Sequence, residues 1–319
     1  MHRFISLVTV VLLFLAINTQ ANPLTDKKIL FINSYHQGYE WSDGITQGIE
    51  ETLKNTPVEL KTVYMDTKRQ RNKEKIKAMA LKMKQVIDDF KPDVVIASDD
   101  NASKYVIKPY YKDASLPFVF CGVNWDASPY GFPFSNVTGM EEVSLIKAIV
   151  HNLQAYTKGE RIGLLSIDAI SGRRNAENFE KQLEKKFDKV YYVKTFADWQ
   201  QKYQQLQTQV DMLILENPKG IENWDNKTGL AFIETHTKIP SGTTHVWLAP
   251  YALLAIAKIP QEQGIWSATT ALAILKGKAI KEIPIVQNEQ GRLFINLKLG
   301  NQLKLVFKPE LMEIAEIIR

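Results

Sequence analysis

Short apolar runs recur along this chain, separated by longer stretches whose apolar residues fall at helical spacing. Ile29–Ile32, Val94–Ala97 and Phe118–Cys121 are apolar at successive positions, so a strand formed there needs cover on both faces. After the first run, Ile45, Ile49 and Leu53 share one helical face. After the strand Val58–Tyr64, Ile76, Ala80, Met83, Ile87 and Phe90 share another, over about Asn72–Phe90. Two-sided strands alternating with amphipathic helices predict an α/β fold, with helices on both faces of a parallel sheet. A further helix is expected from about Ala102, and Val137–Met140 is a short extended piece.

The pattern then repeats. A helix over Val143–Leu153 leads to strands at Arg161–Ser166, Val190–Thr195, Met212–Leu215 and near His245–Leu248. The intervening helices are about Arg174–Phe187 and Asp198–Gln207. No Gly/Ser-rich or charged linker separates the two βαβαβ halves, so short crossovers are expected and not a flexible tether. The expectation is therefore two doubly wound parallel-sheet domains joined by crossover hinges, with a ligand cleft between them. Hinges are expected near Gly139–Glu141, Pro250–Tyr251 and Ile283–Pro284.

The N-terminus reads as a leader. Met1–Arg3 is positive, Phe4–Ile17 is apolar, and Thr19-Gln20-Ala21 supplies small residues at the cleavage-relevant positions, which predicts a signal peptide over residues 1–21. The apolar stretch is shorter than the ~20 residues that span a bilayer. The mature product is expected in a bacterial periplasm. The formal net charge is only +5, and Arg3 of the leader is part of it. The lysines are scattered and not striped, so no nucleic-acid partner is expected. A single cysteine, Cys121, excludes an internal disulfide and a cysteine-based metal site.

In an open α/β sheet, ligands bind at the loops leaving the carboxyl ends of the strands. The first such loop carries Ser34, Tyr35, His36 and Trp41, and the third carries Ser98, Asp99, Asp100 and Asn101. The fourth carries Asn124 and Trp125, and in the second half Asp168, Ser171 and Arg173 follow one strand and Glu216 and Asn217 another. Carboxylates there could accept from an amine, Arg173 could hold a carboxylate, and the aromatics could cover an apolar or cationic face. The alternatives are ordinary. Ser98 to Asn101 also suit a helix cap, Trp41 and Trp125 could pack at a domain edge, and Arg173 could be solvated.

His36 has no second ligand at metal spacing, so no metal or cofactor is expected. There is no Gly-x-Ser-x-Gly elbow, no phosphate-cradling glycine loop and no HExxH, and a catalytic set is not expected.

INSYHQGYEWSDGITQGI, PDVVIASDDNASKYV and PFVFCGVNWD resemble the periplasmic substrate-binding components of ABC transporters with the type I binding-protein fold. More narrowly they resemble the family whose better-known members bind tryptophan or tyrosine. The first loop also resembles ligand-sensing domains attached to histidine kinases and cyclases. The chain departs from the commoner family members at Ser98-Asp99-Asp100-Asn101, where they carry a small Ala/Thr-rich loop. The resemblance implies that the late helix Gln263–Lys276 returns to the first domain and that the tail packs on the second. The lobes would then be 22–140 plus about 251–283, and 141–250 plus about 284–319. It also implies a monomer that captures a small polar molecule, an amino acid or related metabolite, for a membrane permease. The alternatives are a sensing accessory protein for a membrane kinase or cyclase and, on architecture alone, a flavodoxin-like enzyme.

Overall fold

The computed structural model describes residues 22–70 and 72–319, so the expected leader Met1–Ala21 lies outside the described residues. The chain runs β1 (Lys28–Asn33), α1 (Glu40–Leu53), β2 (Glu59–Tyr64), α2 (Lys73–Phe90) and β3 (Val94–Ser98). A broken helical segment follows: α3 (Asp99–Ala102), a π-helical stretch Ser103–Ile107, and α4 (Lys108–Tyr110). Then come β4 (Phe118–Asn124) and β5 (Val137–Glu142). The second half begins α5 (Ile146–Gln154), β6 (Ile162–Ile167), α6 (Ile170–Leu183), β7 (Lys189–Val193) and α7 (Phe196–Gln209). It continues with β8 (Met212–Leu215), α8 (Asn226–His236) and β9 (Ser241–Thr243). After a 3-10 turn over Val246–Tyr251 come β10 (Leu254–Lys258), α9 (Pro260–Leu275), β11 (Val286–Gln287) and β12 (Gly291–Asn296). The chain closes with α10 (Leu297–Gln302), α11 (Pro309–Ile314) and β13 (Glu316–Ile318).

The strands form two sheets, ordered β11-β5-β4-β3-β1-β2 and β13-β12-β10-β9-β8-β6-β7. Every pairing is parallel except β10 with β12. The apolar runs become central strands: β3 is buried throughout, as is β4 up to Val123, and β8 is buried throughout in the other sheet. Helices cover both faces, so each lobe has its own core. Local signals start and stop the helices. Asn72 caps α2 by accepting from the Glu74 and Lys75 N–H groups, and Lys91 ends it in the left-handed region at φ +52°, just before Pro92.

The late helix α9 packs on α1, β3 and β4 of the first sheet. Glycine permits the approach. A Cβ on Gly48 would sit 2.4 Å from the Gln261 carbonyl oxygen, and one on Gly264 2.1 Å from that of Ile45.

Three expectations need correction. His245–Leu248 is not a strand, because Pro250 follows and the segment turns as a 3-10 helix. The strands of that region are β9, too small and polar to stand out, and β10. Since β10 pairs with β9 and β12, residues 254–258 lie in the second sheet and not the first lobe. β11 conversely pairs with β5, so residues 286–287 lie in the first sheet. The chain therefore passes between the sheets after Glu142, after Lys258 and after Gln287, all beyond the expected positions and the second of them by the whole of β10. These passages are tied together. The Val143 N–H donates to Asn288 Oδ1 at 2.7 Å, and the Glu262 carboxylate accepts from the Glu289 and Gln290 N–H groups at 2.9 and 3.0 Å.

Candidate ligand-binding site

The carboxyl ends of both sheets face the space between the lobes, and the first lobe's floor is built around β1. Asn33 Oδ1 accepts from the Tyr35 N–H and from Ser42 Oγ, at 2.9 and 3.0 Å. Ser34 is fully buried. Its hydroxyl donates to the Ser98 carbonyl and accepts from the Ala102 N–H. The Ser34 carbonyl accepts from Thr67 Oγ1 at 2.6 Å, and Thr67 Oγ1 in turn accepts from Asn101 Nδ2 at 2.8 Å. Ser34, Ser98 and Asn101 thus join the loops after β1, β2 and β3 to one another. His36 is half-buried with its Nδ1 3.5 Å from a carboxylate oxygen of Asp66, and Asp66 is bonded by Arg69.

Asp99 stands apart. It is 1% exposed, its backbone is in the left-handed region at φ +67°, and among the described residues its Oδ2 has no hydrogen-bond partner. A non-glycine residue held there costs strain and calls for an explanation. Ser98 makes no cap with its side chain, so a plain helix start does not supply one. Room for the Asp99 carboxyl comes from Gly122 (φ +65°), where a Cβ would come 3.1 Å from Asp99 Oδ1. The Gly122 N–H is held by Gln263 Oε1 at 2.9 Å.

Glu142, 7% exposed, ends β5 and pairs with Lys258 at the end of β10, so this ion pair joins the two sheets. The Lys258 ammonium also lies 5.3 Å over the Trp41 ring. Burial pushes the Asp99 carboxyl well above the usual range, and the charges of Glu142 and Asp100 add to the shift. Burial raises Glu142 too, with Lys258 pulling the other way. The Tyr35 phenol is raised by burial and by Asp99, Asp100 and Glu142, so all four groups share one patch. Asp100 itself accepts from the Tyr130 hydroxyl at 2.6 Å and from Asn124 Nδ2 at 2.7 Å.

The second lobe's floor is organised differently. Glu216 directly follows β8 and is 4% exposed. Its Oε1 lies 2.7 Å from His245 Nε2 and accepts from the Asn217 N–H at 2.8 Å, while Oε2 accepts from Asn175 Nδ2 at 3.1 Å. Burial would raise this carboxyl, but His245 and the two amide donors outweigh it and hold it below its ordinary value. Arg173 bonds Asp168 and lies 4.3 Å over the Tyr192 ring, so its fork is engaged within its own lobe. Ser171 is exposed at the start of α6. Trp125, at φ +65°, leaves the first lobe and meets Phe179 of the second with ring centroids 5.8 Å apart.

Between the floors lies a cavity of about 770 Å³ whose walls include Tyr39, Trp41, His245, Trp247, Lys258 and Arg292. A second hollow of about 500 Å³ lies beside the passages after Glu142 and Gln287, with Trp125 on its wall. Among the described residues no hydrogen bond or ion pair joins the Ser34–Trp41 or Asp99–Asn101 loops to the loops after β6, β8 and β9, so the lobes stand apart there. Of the residues expected at the site, Trp41 lines the cavity and Tyr35, Asp99 and Asp100 form the acidic patch. Ser34 and Asn101 join loops through their side chains, Ser98 does so through its carbonyl, and Asn217 bonds within its own loop. Lys68, Glu142, His245, Trp247 and Lys258 carried no signal in the sequence that pointed to the site. Trp247 is 47% exposed, and its apolar neighbours had made it look like part of a strand.

Residues 39–318 match the profile of the family described as ABC transporter substrate binding protein. The chain belongs to that family. Among solved structures it is similar to the ligand-free, open form of a substrate-binding protein with adhesive properties from Clostridium difficile. That match has 14% identity and a TM-score of 0.67 over 92% of this chain and 99% of the other. It is also similar to an ABC domain from Streptococcus pneumonia in complex with L-Trp, at 16% identity and a TM-score of 0.50 over 92% and 100%. An ABC transporter solute-binding protein from Agrobacterium vitis with bound allitol gives 16% identity and a TM-score of 0.50 over 88% and 99%. No curated protein matches. Two parallel-dominated sheets joined by three passages are the type I periplasmic-binding-protein fold, as the resemblance implied. Among the described residues no helix is long and apolar enough to cross a membrane.

Proposed function

We propose that this protein captures a small polar molecule in the periplasm and delivers it, as a monomer with closed lobes, to the permease of an ABC importer. The observation that carries this reading is the cavity of about 770 Å³, with Trp41 on one lobe and His245 and Trp247 on the other. A ligand that touches both walls binds the closed form better than the open one, and that differential affinity drives closure. Acidic floors beneath aromatic walls suit an amino acid or related metabolite. The L-Trp bound by the pneumococcal protein supports that class, and the allitol of the Agrobacterium protein supports a polyol. The reading is capture without turnover. The cleft carboxylates are buried or tied to neighbours and are not grouped around a nucleophile.

The test is a thermal-shift screen of residues 22–319 against amino acids, amines, sugars, nucleosides and organic acids. A ligand at about 100 times its Kd adds ~2.7 kcal/mol to stability, which raises the melting temperature visibly. A hit recovered unchanged after long incubation supports the proposal. Silence across the panel from folded protein, or chemical conversion of the hit, overturns it.

A further inference from the structure

The first lobe's floor holds a cation of its own. The Lys68 ammonium, on the exposed loop after β2, lies 4.5 Å from the Tyr35 ring centroid and 4.8 Å from that of Tyr39. The two rings meet edge to face at 5.4 Å and form two sides of a cradle. Among the described residues Lys68 has no carboxylate at ion-pair distance, and nearby Asp66 is taken by Arg69 and His36. Its charge nevertheless reaches the buried acids, since it pulls both Asp99 and Glu142 back down. A flexible, solvent-reaching lysine gains little from such a position unless the place itself favours an ammonium.

Two further observations say that it does. Beside the cradle, one residue past the Asn33–Ser98 strand pair, Asp99 is almost fully buried with one carboxylate oxygen unpartnered, in the left-handed backbone region, and Gly122 leaves room for its carboxyl. Of the acids near the cradle, Glu142 has Lys258 as its ion-pair partner and Asp100 is bonded by Tyr130 and Asn124, whereas Asp99 has no cation at ion-pair distance among the described residues. Lys258 is committed to Glu142 and to the face of Trp41. Lys68 is the displaceable one.

We infer that the Tyr35–Tyr39 cradle, with Asp99 beside it, receives the organic ammonium group of the ligand, and that Lys68 occupies the cradle until the ligand displaces it. This deepens the proposed capture function and rests on it. The ligand class is an organic amine whose cationic head enters the first lobe while its body meets Trp41 and the second lobe.

The experiment is calorimetric titration of the mature protein with phenethylamine, putrescine and choline. Neutral 2-phenylethanol, L-tryptophan and allitol serve as comparators. At least one of the three cations should bind, and 2-phenylethanol should bind at least tenfold more weakly than phenethylamine. Lys68→Gln should tighten cation binding severalfold, because a competitor is removed, and Asp99→Asn should weaken it at least tenfold. Circular dichroism of both variants shows that they are folded, and the exposed Lys68 variant keeps the test open if Asp99→Asn is not. Weaker cation binding by Lys68→Gln, or equal binding of the neutral alcohol, overturns the assignment. If L-tryptophan binds and Lys68→Gln abolishes it, Lys68 is an anion holder and the cradle reading falls. Silence of all three cations with a response to allitol or L-tryptophan removes the amine assignment and leaves capture standing. Silence of every compound removes both.

Discussion

The two floors of the cleft each bury a carboxylate at the end of a strand, yet they treat it in opposite ways. Glu216 receives His245, the Asn175 amide and the Asn217 N–H, and is held below its ordinary value despite its burial. Asp99 has one oxygen without a partner and two acidic neighbours, and is pushed well above it. A satisfied buried charge braces its surroundings, and removing it strands its donors. An unsatisfied one weakens the ligand-free protein and is repaid only when something binds. Glu216 belongs to the architecture of its lobe, and the proposed ammonium site gives Asp99 to the ligand.

Five substitutions test that contrast. Glu216→Ala should have the largest effect, lowering unfolding free energy by about 3 kcal/mol in urea titrations, since the partners of a buried pair lose their acceptor. A loss below ~1 kcal/mol would mean that the Glu216 network is ornamental and the contrast is wrong. Trp125→Ala should cost about 2 kcal/mol, because the ring bridges to Phe179 of the other lobe. Small-angle scattering should also show a wider distribution of lobe separations, and unchanged scattering would remove Trp125 as a link between the floors.

Asp99→Asn should leave stability unchanged or slightly raised above neutral pH. The sign follows from linkage. A carboxyl whose folded value is raised contributes stability that is present below its ordinary range and is lost as pH rises through the folded value. A depressed one, such as Glu216, contributes above its ordinary range and loses it as pH falls. Wild-type stability should therefore decline toward high pH more than that of Asp99→Asn, and toward low pH more than that of Glu216→Gln. The limiting slope is roughly 1.4 kcal/mol per pH unit for one proton of difference. Parallel pH profiles for wild type and both variants would contradict the opposite shifts. The smallest effect belongs to Arg173→Ala. Its bond to Asp168 is solvent-exposed, so neither melting temperature nor ligand affinity should move. A lost affinity would return Arg173 to the site as a carboxylate holder.

Much of the fold was legible in the sequence. β1, β3, β6 and β8 lie within a residue of the expected positions, and β4 begins where expected and runs on to Asn124, because a strand covered on both faces must be apolar throughout and leaves a continuous run. β9 was not legible, since Ser241-Gly242-Thr243 carries no such signature, and the apolar residues of Val246–Tyr251 imitated a strand. The acidic segment after β3 stood out in the sequence. What the residues there do was not legible. Ser98, Asp99 and Asn101 look alike as polar residues at a strand end, but Ser98 binds Ser34 only through its backbone carbonyl, Asp99 is buried in the left-handed region with an unpartnered oxygen, and Asn101 bonds Thr67.

Composition and periodicity alone determined an α/β chain in two similar halves, with its chemistry at the carboxyl ends of the strands. Both signals are local, since each residue's polarity reports how deeply its own position is buried. The pairing of Glu142 with Lys258, 116 residues apart, leaves no such trace, nor does the seat of Lys68 between Tyr35 and Tyr39. Only the folded chain decided which charges met and which were left unpaired, because charge partnership depends on distances in space that sequence separation does not record.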